Sequence, residues 1–153
     1  MVTLKKLPSA EKRVVVTETA RKLTPLGVDV LKAEFPINIA DEKNETVWAD
    51  ACAELNEASL CPWIILSAGV SFEQFERQTA VACQNGASGV LVGRAVWAEA
   101  ADLQGEARAE FLQSTAIERI KRLTAVIEMH GVPWSAYFPD ITAAVSEGWY
   151  EAY

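Results

Sequence analysis

The chain has 153 residues and half of them are hydrophobic, which is enough for one domain with its own core. Its net charge of -7, from 14 basic and 21 acidic residues, argues against a broad nucleic-acid surface but not against one small phosphorylated ligand. The apolar runs are too short to span a bilayer and residues 1–12 lack a signal-peptide core, so we expect a cytoplasmic protein that does not contact a membrane.

The first half of the chain alternates helical and extended patterns. A helix begins at Ser9, which can cap it, and it ends before Pro25. The β-branched and apolar segment 28–35 predicts a strand, which Pro36 stops. Asn44 or Glu45 then opens a second helix. This order is typical of a βαβ arrangement rather than of a helical bundle.

The same alternation continues in the second half. Residues 62–67 (PWIILS) and 88–92 (SGVLV) predict two more buried strands. Between them, Ser71 and Gln74 have the spacing of a capping box and predict a helix start. A short helix over 95–101 follows the last strand. A long amphipathic helix then runs from 105 to about 131, with an apolar stripe of Phe111, Leu112, Ile117, Ile120, Leu123 and Ile127.

Helices and strands that alternate with short connections predict right-handed βαβ units and a parallel sheet. A closed (β/α)8 barrel needs more strands than the sequence predicts. We therefore predict an α/β fold that is a partial (β/α)8 (TIM) barrel, with three parallel βα units and a long C-terminal helix. The predicted domain covers 1–138, and residues 139–153 form an aromatic tail for which the sequence suggests no role.

Lys32 is the first candidate for chemistry. By strand parity it shares one face with Val28, Val30 and Glu34, the face expected to point into a barrel, where Trp63 and Ile65 are also expected. A lysine among apolar neighbours loses its charge more easily, and its neutral amine can attack a carbonyl. From this strand alone, an edge lysine or one paired with Glu34 is the simpler interpretation.

The ends of the next two strands are the second candidate. Ser67, Gly69, Gly93 and Arg94 lie where backbone N–H groups, helix N-termini and a guanidinium can meet an anion. In (β/α)8 barrels, phosphate sites often follow the last two strands. Each turn alone is explained by tight βα geometry. Both turns together, next to a strand lysine, favour a phosphate site.

Three runs carry a family resemblance: GVDVLKAEFP (27–36), PWIILSAGVSFEQF (62–75) and GASGVLVGRAVW (86–97). They resemble the class I aldolases of the tagatose-1,6-bisphosphate and sulfofructose-1-phosphate type, over about residues 9–138. The resemblance implies that Lys32 forms a Schiff base with a ketose phosphate or dihydroxyacetone phosphate. It also implies that Ser67 and Arg94 hold the substrate's anionic groups beside Gly69 and Gly93.

The resemblance implies carbon–carbon bond cleavage in carbohydrate metabolism, with no cofactor and no metal. The family's general acid/base is a glutamate on the strand before the lysine strand, and nothing in residues 1–8 matches it. The alternative is therefore a catalytically inactive barrel derivative that forms a homo-oligomeric assembly, most simply a dimer, because three strands leave two open edges. The cysteines, Cys52, Cys61 and Cys83, are expected to be reduced and buried.

Overall fold

A computed structural model of the protein describes residues 7–138 and Gly148. The predicted tail, 139–153, lies outside the described residues apart from Gly148. The described helices and strands, in chain order, are α1 (Ser9–Leu23), β1 (Leu31–Glu34), α2 (Glu45–Ala58), β2 (Trp63–Leu66), α3 (Phe72–Gln84), β3 (Gly89–Leu91), α4 (Arg94–Trp97), α5 (Gly105–Phe111) and α6 (Ile117–His130). Single 3-10 turns cover Thr24–Leu26, Ala98–Ala101 and Trp134–Ala136.

The three strands form one parallel sheet in the order β1-β2-β3. In the β1–β2 pair Leu31 lies level with Trp63, and in the β2–β3 pair Ile64 lies level with Gly89. The central strand β2 is therefore hydrogen-bonded to β1 on one side and to β3 on the other. The predicted α/β class, the parallel direction and the alternation of helices with strands are confirmed. The strands are shorter than predicted, because the residues at each predicted end belong to the connecting turns.

The faces of the sheet differ sharply in exposure. On β1, Leu31 and Ala33 are buried whereas Lys32 and Glu34 are exposed, as the parity of that strand predicts. The expectation that Trp63 lies on the Lys32 face is wrong, because Trp63 pairs with Leu31 and is fully buried on the helix side. Its indole Nε1 donates to Asn56 Oδ1 of α2 at 3.0 Å. Ile65 is likewise fully buried, so the sheet has one covered face and one open face.

Two of the three predicted helix caps are confirmed. The Asn44 side chain accepts from Thr46 N at the start of α2, and Ser71 forms the capping box with Gln74. Ser9 is not the cap of α1, since Pro8 occupies that position. The Ser9 hydroxyl instead donates to Asp41 Oδ1 at 2.7 Å, which ties the start of α1 to the loop after β1.

The long C-terminal helix is interrupted. A π-helical turn, Leu112–Ala116, separates α5 from α6, and α6 packs along α3. The predicted apolar stripe is only partly buried: Leu123 is 2% exposed, whereas Ile117 and Ile120 are 46% and 45% exposed. All three residues lie on α6, so only part of the predicted stripe on this helix is covered by the rest of the described chain.

The cysteines are free and buried, as predicted. Burial raises the pKa of the Cys52 thiol to about 12 and that of Cys83 to about 11. Both thiols therefore stay protonated at neutral pH and belong to the core between α2 and α3. Within residues 7–138, no helix is both long enough and apolar enough to cross a bilayer.

Candidate functional site

The carboxyl ends of parallel strands lie along one edge of the sheet, and two tight turns follow β2 and β3 there. In the first turn, Val70 N donates to Ser67 O at 3.1 Å. Between them, Ala68 and Gly69 both have positive φ, 49° and 79°. A left-handed alanine is unusual and costs about 1–2 kcal/mol, so the turn is held by its surroundings.

Arg94 reaches across from the second turn to the first. A Cβ built on Gly69 would lie 4.0 Å from Arg94 Nη2 and would touch no nearer atom. The guanidinium of the exposed Arg94 therefore lies against the Gly69 turn. The structure brings together the two βα turns that the sequence singles out. Ser67 is buried, and Gly93 is the residue immediately before α4.

Lys32 lies on the open face of β1, level with Ile64 of β2. It lines a cleft of about 1170 Å³ that also contains the Ala68–Gly69 turn. Ser67, Gly93 and Arg94 are not among the residues that line this cleft. The lysine and the first turn thus share one cleft, and Arg94 lies against that turn without lining the cleft.

The cleft contains two further lysines that the sequence did not single out, Lys12 of α1 and Lys43 of the loop after β1. Lys12 Nζ lies 3.0 Å from Glu34 Oε2. Among the described residues Glu34 is therefore paired with Lys12 rather than with Lys32, so the interpretation of Lys32 as the partner of Glu34 is wrong. The interpretation of Lys32 as an edge-strand lysine stands for the described sheet, in which β1 is an outer strand. Lys12 and Glu34 are far apart in the sequence, and no local pattern indicates such a contact.

The helices that follow the two turns differ in length. The α3 helix is 13 residues long and its capped N-terminus follows the Ser67–Gly69 turn. The α4 helix has only four residues. The expected helix does begin directly after the second turn, but its few peptide units give a weaker dipole than those of α3, and a contribution to anion binding stays a prediction. Positive charge at that turn comes from the Arg94 side chain.

The described residues contain no cluster of three or more His, Cys, Asp or Glu side chains arranged to hold a metal ion. The groups along the strand ends are amines, a guanidinium, small side chains and backbone N–H groups. These groups are donors, and they suit an anionic or carbonyl-containing ligand.

A family model described as DeoC/LacD family aldolase matches residues 4–99, a span that includes the lysine strand and both turns. This chain belongs to the DeoC/LacD aldolase family. The resemblance seen in the three sequence runs is confirmed by this match.

Several proteins named tagatose 1,6-diphosphate aldolase are similar to this chain. The tagatose 1,6-diphosphate aldolase of Streptococcus pneumoniae is 39% identical over 123 residues. The Lactococcus lactis protein of that name is 37% identical, and tagatose 1,6-diphosphate aldolase 2 of Streptococcus mutans is 35% identical, each over 124 residues. Each alignment covers 71% of this chain but only 38% of the relative. The chain therefore matches about two fifths of the length of these relatives.

The left-handed turn at Gly69 gives a testable prediction. Replacing Gly69 with alanine should lower the free energy of unfolding by about 1–2 kcal/mol, through backbone strain alone, since the added Cβ meets no atom closer than 4.0 Å. Gly27→Ala is the matched control, because Gly27 has a φ of 88° and open space around it. Urea unfolding should give similar costs for both variants. A neutral Gly69→Ala would contradict the left-handed turn.

Proposed function

We propose that the chain is an aldolase-like lyase that acts on a ketose phosphate through a Schiff base on Lys32. In this proposal β1, β2 and β3 are three adjacent strands of a (β/α)8 barrel, and the open face of the sheet is the barrel interior. The observation that carries the proposal is the position of Lys32: it is exposed on the open face and shares a cleft with the turn against which Arg94 lies.

The chemistry follows from the amine. The neutral Lys32 amine adds to the substrate ketone, and water leaves to give a protonated imine. The imine withdraws the electron pair of the C3–C4 bond as the C4 hydroxyl loses its proton, so an aldehyde leaves and an enamine remains. Protonation of the enamine at C3 and hydrolysis release the ketone product and the free lysine. The step that removes the hydroxyl proton needs a base, and Glu34 of β1 is already held by Lys12.

The phosphate of the substrate would lie between the two turns. Arg94 provides a planar fork of donors, and the capped N-terminus of α3 adds a partial positive charge. Ser67, Gly69 and Gly93 would allow backbone N–H groups to approach the anion closely. The relatives are named as aldolases of a sugar diphosphate, which supports a ketose phosphate or dihydroxyacetone phosphate as the substrate class here.

A second candidate is a catalytically inactive derivative whose open sheet face binds a second copy of the chain. The specific observation is exposed apolar surface on that face: Leu91, which lies level with Leu66 and Glu34, is 48% exposed. The same face carries Lys32 and Glu34, so two copies related by a two-fold axis would present opposite charges to each other. Covering this face would bury the lysine and block substrate.

Imine trapping tests the first candidate. Borohydride added with dihydroxyacetone phosphate should attach one substrate-derived group to Lys32, detected by peptide mass spectrometry, because only an imine is reduced to a stable amine. Lys32→Arg should abolish the adduct. Lys43→Arg and Lys12→Arg, which alter the other lysines of the same cleft, should leave it intact. An adduct that persists in Lys32→Arg would refute the assignment.

Phosphate binding tests the second part of the site. Arg94→Lys keeps the charge but loses the fork, so the affinity for inorganic phosphate should fall by about tenfold in calorimetric titration. Arg77→Lys serves as the control, since Arg77 pairs with Glu45 on a different surface. Equal affinity in Arg94→Lys and the unmodified chain would exclude Arg94 from the phosphate site.

Sedimentation equilibrium tests the dimer. Leu91→Glu places a charge on the open face and should convert a dimer to a monomer, because burying an unpaired carboxylate in an interface is costly. Leu26→Glu is the control, as Leu26 is 77% exposed and lies in the turn after α1. A chain that is monomeric before any substitution would reject the two-fold assembly.

A further inference from the structure

Arg119 of α6 is a charged side chain in an unusual environment. Only 13% of its side chain is exposed. Its Nη1 donates to Val96 O at 2.9 Å and to Ala95 O at 3.4 Å, and both carbonyls belong to α4. Its Nη1 and Nη2 also bind the two carboxylate oxygens of Glu99, at 2.9 and 2.7 Å. One guanidinium thus holds α4 and the 3-10 turn that follows it.

The same guanidinium packs against two aromatic rings. Its central carbon lies 5.1 Å from the ring centroid of Phe72 and 5.5 Å from that of Phe111. Phe72 is the first residue of α3 and directly follows the Ser71 cap. Arg119 therefore contacts the start of α3, which follows the β2 turn, and α4, which follows the β3 turn.

We propose that Arg119 is a positioning residue for the anion site: it fixes the Gly93–Arg94 turn relative to the Ser67–Gly69 turn, so that the site is preformed. This inference rests on the proposed function of the two turns. Arg119 would not touch the substrate. It acts on Arg94 through the carbonyls of the next two residues, Ala95 and Val96.

The need for such a residue follows from the length of α4. Within α4 and its ends, Val96 N donates to Gly93 O and Ala98 N donates to Arg94 O, so the helix is held by few internal bonds. A helix this short does not keep its orientation by itself. Arg119 satisfies two of its carbonyls, the groups that helix ends leave without partners.

The ion pair between Arg119 and Glu99 also persists over a wide pH range. The hydrogen bond from Arg119 lowers the pKa of Glu99 to about 2, so the carboxylate keeps its charge well below neutral pH. An arginine suits this role better than a lysine because its planar fork can serve a carboxylate and a carbonyl at once while its face packs on a ring. A lysine would keep the charge but could not bind the carboxylate and the carbonyls and pack on a ring at the same time.

Arg122 is the matched control on the same helix. Its central carbon lies 4.8 Å from the same Phe72 ring, and its guanidinium pairs with Glu76 of α3. Its described contacts are with α3 only, so it shares the ring, the charge and the helix of Arg119 but not the link to α4. Arg119→Met and Arg122→Met each remove one charge and keep a side chain of similar length.

The experiment is calorimetric titration of inorganic phosphate, well below the thermal midpoint of each variant. Arg119→Met and Arg119→Lys should both weaken binding by about tenfold, since misplacing one turn spoils the geometry of the whole site. Arg122→Met should change it by less than about twofold. If Arg119→Met binds as tightly as the unmodified chain, the positioning role is refuted while the proposed function stands. If the unmodified chain binds no phosphate, the positioning role of Arg119 and the proposed phosphate site are both refuted.

A double-mutant cycle separates positioning from simple loss of stability. In an Arg94→Ala background, Arg119→Met should weaken phosphate binding further by less than about twofold, because the group it positions is gone. An undiminished tenfold effect in that background would overturn the inference. If Arg119→Met does not fold, Glu99→Gln replaces it in the experiment, because it weakens the contact between Arg119 and Glu99 without changing the arginine. Glu99→Gln should weaken phosphate binding when Arg94 is present and should have little effect in the Arg94→Ala background. Unchanged phosphate binding in Glu99→Gln would then refute the positioning role of Arg119.

Discussion

The parallel pairing of β2 with a strand on each side is the constraint on which the rest of the structure depends. Because Leu31 lies level with Trp63, the buried residues of both strands face the helices together. The same register leaves Lys32 on the open face and brings the ends of β2 and β3 to one edge. A shift of one residue would exchange the two faces and separate the lysine from the turns.

The candidate site is built by elements with very different stability. The turn after β2 is fixed locally by the Ser67–Val70 hydrogen bond and by the capped start of α3. The turn after β3 leads into a four-residue helix that has little internal support. Arg119 of α6, which is far away in the sequence, donates to two carbonyls of this helix. The proposed anion site would therefore depend on α3, α4 and α6 together.

The proposed catalysis and the proposed association would use one surface. The open face carries the lysine of the proposed Schiff base, and it also carries the exposed apolar side chain of Leu91. In the longer relatives of the family, additional chain is present beyond the matched part. For this face we propose either a reaction site or an interface with a second copy of the chain. The pairing of Glu34 with Lys12 leaves Lys32 available for either role within the described residues.

The sequence by itself determined the features that depend on a few neighbouring residues. The alternation of elements, the caps at Asn44 and Ser71 and the placement of Lys32 on the face opposite Leu31 and Ala33 are set by local hydrogen bonds and by strand parity, and the structure confirms them. The family match follows from the same short runs. The assignments of Lys32 and Arg94 to chemistry remain proposals.

Only the tertiary structure decided which face Trp63 occupies, which lysine pairs with Glu34 and which arginine holds α4. Each of these depends on the register between strands or on a contact between elements that are distant in the chain. Such contacts are made because packing brings the elements together, and the hydrophobic pattern of one element does not specify its partner. The fold class is therefore readable from local periodicity, whereas the site is assembled by long-range packing.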